Sequence, residues 1–302
     1  LRTIWLLITC LVIAPGAAGD TFKKHTRQLP AGPNPSAIVA ADLNGDEWPE
    51  IITADVGSLT DPRQERPAHD QLSFLVAQGD LDYEPQPQLQ TGFAPYCIAV
   101  ANIDALKAPD LVVGSFHAVR ERNISLFRNL RDNLFEPSHF SIPPDRELPY
   151  ERMRDGDGAP IFTTPGITSL IVSDINHDSY RDIVATGWSS DVLIFVPGVP
   201  DAYFGAPRFT RAVGGPRDVK AADFDKDGET DLVATLYTAG QLALWKGDGT
   251  GAFEPAAHFA SRGRLPHKVQ VADVNRDDRL DLVVSHCYTD DSIVLFYGDG
   301  DF

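Results

Sequence analysis

Sulfur, basic charge and long apolar segments are all scarce in this chain. Of 302 residues, three are cysteine and one is methionine, too few thiols for the disulfide framework that staples small secreted domains. Beyond residue 20 no apolar run approaches the roughly 20 residues that a membrane-crossing helix needs. Nor does any stretch there repeat its apolar residues at the 3.6-residue interval of an amphipathic helix. Lys and Arg number 26 against 43 Asp and Glu, a net charge of −17. That balance excludes nucleic acid as an expected partner, because phosphate recognition needs a basic surface. Three catalytic signatures are also missing: an H-E-x-x-H zinc helix, a G-x-S-x-G nucleophile turn and a glycine-rich phosphate loop opening a helix.

The one apolar run lies at the N-terminus. Arg2 precedes an apolar stretch from Thr3 to Ala14, and Pro15-Gly16-Ala17-Ala18-Gly19 follows with small residues. The pattern predicts a secretory signal over residues 1–19 and a mature domain over 20–302. The expected location is therefore secreted or extracytoplasmic, in the periplasm or at the cell surface. Membrane attachment is expected only if the segment stays uncleaved. The mature chain keeps Cys97 and Cys287, both in strand-like runs. They are either small buried apolar residues or the two ends of a single bridge.

What the chain has in abundance is one motif, written five times. It reads A-D-L-N-G-D-E-W-P-E-I-I from Ala41, A-N-I-D-A-L-K-A-P-D-L-V from Ala101, S-D-I-N-H-D-S-Y-R-D-I-V from Ser173, A-D-F-D-K-D-G-E-T-D-L-V from Ala222 and A-D-V-N-R-D-D-R-L-D-L-V from Ala272. A period of about 50 residues or more signals a repeat architecture. In the fourth copy a strand from Arg217 enters the acidic loop. Leu232–Tyr237 makes a second strand, Gln241–Trp245 a third and Phe253–Ala260 a fourth, with Gly-containing turns between them. Four short antiparallel strands, repeated, predict an all-β propeller of about five four-stranded blades. The last copy stops at Phe302, where a fourth strand should begin. Either the segment from Phe22 to Pro30 supplies that strand and closes the ring, or the chain is a piece of a seven- or eight-bladed propeller.

Within each motif, carboxylates alternate by two. Positions 1, 3, 5 and 9 are Asp42, Asn44, Asp46 and Glu50; Asp174, Asn176, Asp178 and Asp182; Asp223, Asp225, Asp227 and Asp231; and Asp273, Asn275, Asp277 and Asp281. In a curled loop this spacing turns the side chains to one centre, and position 7 (Trp48, Tyr180, Glu229 or Arg279) offers its backbone carbonyl. Hard oxygen ligands with no His or Cys suit Ca²⁺, up to four structural ions in all. The second copy departs from the pattern. It keeps Asn102, Asp104 and Asp110, but Leu106 replaces the position-5 carboxylate and Lys107 follows. No ion is expected there, and Lys107 is a candidate to supply the missing positive charge.

The first six residues of the motif match the start of an EF-hand loop. Strands flank it instead of helices, however, and position 12 is never Glu. The motif, with Gly247-Asp248-Gly249 and Gly298-Asp299-Gly300 near the blade ends, resembles the FG-GAP/VCBS repeats of integrin-α-like calcium-binding propellers, over about residues 22–302. The resemblance implies a propeller with structural Ca²⁺ on one face. Its members include adhesion modules, lectins and some polysaccharide lyases, so it does not fix a function.

On the face opposite the acidic loops, the residues six past position 9 are Val56, Phe116, Trp188, Tyr237 and Cys287. Phe116, Trp188 and Tyr237, with His117, His286 and Tyr288 beside them, either pack between blades or stack on a sugar ring. The expectation is a noncatalytic recognition or adhesion module for an extracellular carbohydrate or protein surface. The alternatives are a carbohydrate-active enzyme such as a polysaccharide lyase, and a structural domain of a larger surface protein.

Overall fold

The computed structural model describes residues 28–57, 70–79, 82–104, 106, 108–116, 122–142, 165–200, 203–287 and 293–301. The expected signal lies outside them, as do residues 22–27 of the expected closing segment, Phe22 to Pro30. Residues 31–302 form one compact unit. Among the described residues there is no helix, and the strands fall into five successive antiparallel sheets and one two-stranded ribbon.

The first sheet holds β1 (Pro35–Ala41), β2 (Glu50–Asp55), β3 (Gln71–Gly79), β4 (Asp82–Pro85) and the short β5 (Leu89–Gln90). The second holds β6 (Pro95–Ala101), β7 (Asp110–Ser115), β8 (Ile124–Asn129) and β9 (Phe135–Phe140). In the third, β10 (Ile167–Ser173), β11 (Asp182–Gly187), β12 (Val192–Val196) and β15 (Arg208–Arg211) form the sheet. A small ribbon of β13 (Gly198–Val199) and β14 (Tyr203–Phe204) is inserted before β15. The fourth is β16 (Pro216–Ala222), β17 (Asp231–Leu236), β18 (Gln241–Gly247) and β19 (Phe253–Ala260), and the fifth is β20 (Pro266–Ala272), β21 (Asp281–His286) and β22 (Ile293–Phe296). Each is a propeller blade, and the fold is an all-β propeller. The expected four strands of the fourth copy are β16 to β19, in order.

Each blade is twisted into line by contacts between first strands: β1 against β6, β6 against β10, β10 against β16, β16 against β20. These strands are therefore innermost. The cores lie between blades. Leu43, Ile52 and Phe74 meet Leu111 and Phe127 across the first interface, and Ile124 and Val112 meet Ile183 and Ile194 across the second. Val184 and Phe195 meet Val219 and Trp245 across the third, and Val233 and Leu242 meet Val269 and Val284 across the fourth. Second strands are covered on both faces, which is why β7, β11 and β17 are buried at every residue and read as continuous apolar, β-branched runs.

The outward faces of the first and fifth blades show what this packing covers. Val219 and Val269 are 0% exposed, whereas Ile38, at the same register position in β1, is 69% exposed. Leu242 is 0% exposed and its counterpart Ile293 in β22 is 69% exposed. Both cysteines are free thiols, Cys97 buried and Cys287 half-buried, so no bridge joins them.

Candidate metal centre

The acidic loops join the first strand of each blade to the second, and four of them share one hydrogen-bond scheme. The position-7 amide donates to the position-5 carboxylate: Trp48 to Asp46, Tyr180 to Asp178, Glu229 to Asp227 (each 2.8 Å) and Arg279 to Asp277 (3.0 Å). The position-6 amide donates to the position-1 carboxylate: Glu47 to Asp42, Ser179 to Asp174, Gly228 to Asp223, Asp278 to Asp273. Side-chain oxygens thus act as local backbone acceptors and curl the chain.

That curl puts positions 4 and 6 in the left-handed region. Gly45 and Glu47, His177 and Ser179, Lys226 and Gly228, and Arg276 and Asp278 all have φ between 59° and 94°. Only two of the eight are glycine. For the others this backbone is strained by roughly 1–2 kcal/mol each, a cost that the side-chain hydrogen bonds of the curl offset.

Position 9 does a separate job. Glu50, Asp110, Asp182, Asp231 and Asp281 are all 0% exposed. One carboxylate oxygen accepts the position-2 amide, from Leu43, Ile103, Ile175, Phe224 and Val274 respectively. In four blades the other accepts an amide at the end of the third strand: Asn129 for Asp110, Gly198 for Asp182, Gly247 for Asp231, Gly298 for Asp281. The carboxylate pins loop to blade, and an oxygen that accepts a single amide keeps a second lone pair for a cation; Asp182 Oδ2 accepts a second amide, from Asn176 at 3.2 Å. Burial raises the pKa of Glu50, Asp110, Asp182 and Asp231, against the pull of these amides. Gly198, Gly247 and Gly298 are needed because a Cβ would overlap the position-8 carbonyl, of Arg181, Thr230 or Leu280.

The donor set fits a hard cation. Asp223, Asp225 and Asp227 place one carboxylate oxygen each within 4.8 Å of one another. Asp174 Oδ1 and Asp223 Oδ1 are buried with no hydrogen-bond partner, and a buried unpaired carboxylate oxygen is costly. In the other loops the position-3 amide donates to the position-5 carboxylate: Asn44 to Asp46, Asn176 to Asp178, Asn275 to Asp277. The oxygen of the same side chain accepts the position-5 backbone amide, from Asp46 (2.8 Å), Asp178 (3.2 Å) and Asp277 (2.9 Å).

In the fourth loop position 3 is Asp225, a fourth charge, and there Lys246 reaches in from β18 to pair with Asp225 and, at 2.9 Å, with Asp227. The hydrogen bond from Lys246 holds the Asp227 carboxyl below its usual range. Counting positions 1, 3, 5 and 9 alone, Lys246 brings this loop to the same net three negative charges as the loops built on Asn44, Asn176 and Asn275. The second loop uses the same device. Arg128 of β8 reaches Asp104 at 3.7 Å, pairs with Glu136 and donates to Tyr203 Oη at 2.6 Å. Lys107, to which the sequence pointed for this charge, lies outside the described residues.

Residues 223–284 match the FG-GAP-like repeat model. This segment is an FG-GAP-like repeat. It comprises the fourth acidic loop, the rest of the fourth blade and the fifth blade as far as β21, and the loops of the first and third blades share its hydrogen-bond scheme. No curated protein sequence matches the chain. Among solved structures it resembles the periplasmic gluconolactonase of Pseudomonas aeruginosa (14% identity, TM-score 0.56, 83% of this chain and 64% of that one). It also resembles a provisionally assigned 6-phosphogluconolactonase of Bacteroides uniformis (16%, 0.57, 89% and 68%), and a protein of Lactobacillus plantarum (16%, 0.54, 90% and 72%). At these identities the likeness is one of fold, and the chain spans about two thirds of each protein's length.

On the opposite face, Val56 (2% exposed) and Phe116 (8%) are buried and pack with Ala94 against half-buried Tyr96 and Trp188. Phe116 lies 5.6 Å from both the Tyr96 and Trp188 rings, centroid to centroid. Phe116 is thus a packing residue, while Trp188 and Tyr237 keep partly open surfaces. His286, one position earlier on its strand, lies instead against Gly263. His117 and Tyr288 lie outside the described residues. Tyr96 was not singled out by the sequence, although it follows Pro95 as Arg217 follows Pro216 and His267 follows Pro266.

Proposed function

We propose that this chain is a secreted, calcium-stabilised propeller that serves as a noncatalytic recognition or adhesion module for carbohydrate or protein ligands. The observation that carries the calcium reading is the pair of buried, unpartnered oxygens on Asp174 and Asp223, set in loops whose carboxylates converge. Calcium, when bound, supplies a charge that relieves carboxylate repulsion and ties positions 1, 3 and 5 to the carbonyl of position 7. The residues that would hold it are those at positions 1, 3, 5, 7 and 9 of the loops that begin at Asp42, Asp174, Asp223 and Asp273. The protein's own part is to hold the left-handed loop backbone and to anchor position 9. Binding to the folded state alone stabilises it by linkage.

Thermal unfolding with calcium and with excess chelator, together with metal analysis by mass spectrometry, tests this. Three to four calcium ions per chain and a melting temperature that falls on chelation are expected. A metal-free chain with an unchanged melt would end the calcium reading. A glycan array and a protein-binding screen test the recognition half.

The second reading is a carbohydrate-active enzyme, raised by the fold likeness to proteins named as lactonases. Fold alone does not carry a reaction. Release of unsaturated, ultraviolet-absorbing products from acidic polysaccharide would favour a lyase over a binding module. A third reading is a structural domain within a larger surface protein, for which neither screen would give a signal.

A further inference from the structure

Three blades send polar side chains to one point on the axis. Arg217 of the fourth blade donates to Tyr96 Oη of the second, a blade that is not its neighbour, and approaches His267 Nε2 of the fifth at 3.3 Å. Its guanidinium lies 5.1 Å from the centroid of the Tyr96 ring and 5.2 Å from that of Tyr237. Two aromatic rings thus hold one planar cation in a fixed orientation.

The charge here runs against the rest of the chain. Just below, Asp218 is fully buried and fully used. It accepts from Ser169 Oγ (2.8 Å), Lys268 Nζ (3.0 Å) and the Val269 amide (3.0 Å), with Lys220 at 3.4 Å. Among the described residues no carboxylate pairs with Arg217. Lys220 and Lys268 therefore share one carboxylate and Arg217 has none among the described residues, in a protein whose net charge is −17. His267 is held neutral, since burial and then the neighbouring Arg217 depress its pKa to about 4. It adds no positive charge at neutral pH but offers a ring nitrogen.

We propose that this point is a binding site for the carboxylate of an acidic sugar. The guanidinium fork matches a carboxylate in a bidentate geometry. Lys220 and Lys268 add an attractive field. The half-buried Tyr96 and Tyr237 flank it with ring faces and polar edges, the surface a hydroxylated sugar ring stacks on, and Trp188 follows on the far side of Phe116. Trp188 Nε1 is buried with no hydrogen-bond partner, a donor without an acceptor beside the cluster. Tyr96 and Arg217 take no part in the calcium loops, which lie at the opposite ends of their strands. The assignment rests on the recognition-module reading and names the ligand class of that module.

The test is calorimetric titration of the full chain, at fixed saturating free calcium, with trigalacturonic acid, its methyl ester and inorganic phosphate. Trp fluorescence is followed in parallel. Acid binding at least tenfold tighter than ester binding is expected, with phosphate weaker than both. The Arg217→Gln variant should lose at least tenfold in affinity for the acid while keeping its calcium-dependent melt. Equal affinity for acid and ester, no binding of the acid, phosphate binding as tight as the acid, or an undiminished Arg217→Gln variant would each overturn the proposal. If Arg217→Gln does not fold, Lys268→Gln, at a half-exposed side chain, is used and should weaken acid binding about threefold; unchanged binding there counts against the proposal. Failure of the acid with success of a neutral glycan or protein on the screens would remove this inference and leave the recognition reading in place.

Discussion

Arg128 in β8 and Lys246 in β18 stand at the same register position, each directly across its sheet from the last carboxylate of its loop, Asp110 and Asp231. From there both cations reach the position-3 carboxylate, Asp104 or Asp225. The other blades place Val76, Pro197 and Tyr297 at this position. A cation is present in the loop that lacks its position-5 carboxylate and in the loop that carries an extra one at position 3.

Lys246 and a bound cation compete for Asp225 and Asp227. Lys246→Met should therefore tighten calcium binding at the fourth loop by about two- to fivefold, a modest change because the side chain is solvent-exposed. It should also lower the melting temperature in chelator, where the lysine is the cation paired with Asp225 and Asp227. Calcium titration by calorimetry and paired melts check both signs.

Position 1 and position 9 should separate in their calcium dependence. Asp223→Asn removes a ligand, so one ion fewer per chain is expected, with a lower melt in calcium and little change in chelator. Asp110→Ala leaves the buried amides of Ile103 and Asn129 unpaired. It should cost about 2–5 kcal/mol whether or not calcium is present. Denaturant unfolding of both variants, with and without calcium, tests this.

Acid should weaken the axial cluster. His267 packs among Arg217, Lys268, Asp218 and Tyr237, and its folded pKa of about 4 lies below the unfolded value near 6.5. Neutral His267 therefore contributes stability that is fully present above pH 6.5 and is lost as pH falls from there through 4. His267→Gln should flatten the melting temperature across that window relative to the parent chain, measured at saturating calcium. Glu50, Asp110, Asp182 and Asp231 shift in the opposite direction, so they do not produce this loss.

Gly247→Ala should destabilise by about 1–3 kcal/mol through forced overlap with the Thr230 carbonyl. Gly45→Ala, at φ 88° with open space around it, meets only backbone strain and should cost about 1–2 kcal/mol. Chemical denaturation of the two variants gives the comparison.

The sequence by itself determined the blades and the loops. Alternation of carboxylates by two, β-branched runs after each loop and glycine-rich turns are local signals, and β16 to β19 follow them strand for strand. The double glycine of Gly247-Asp248-Gly249 was visible as a motif, but its reason, a carbonyl pressed against the first glycine, was not. Only the tertiary structure decided which cation serves which loop. Arg128 lies 24 residues from Asp104 in sequence and reaches it because β8 is hydrogen-bonded to β7. Likewise, nothing local joins Tyr96 to Arg217, which are 121 residues apart. They meet because each begins an innermost strand, and the propeller brings those strands together around one axis.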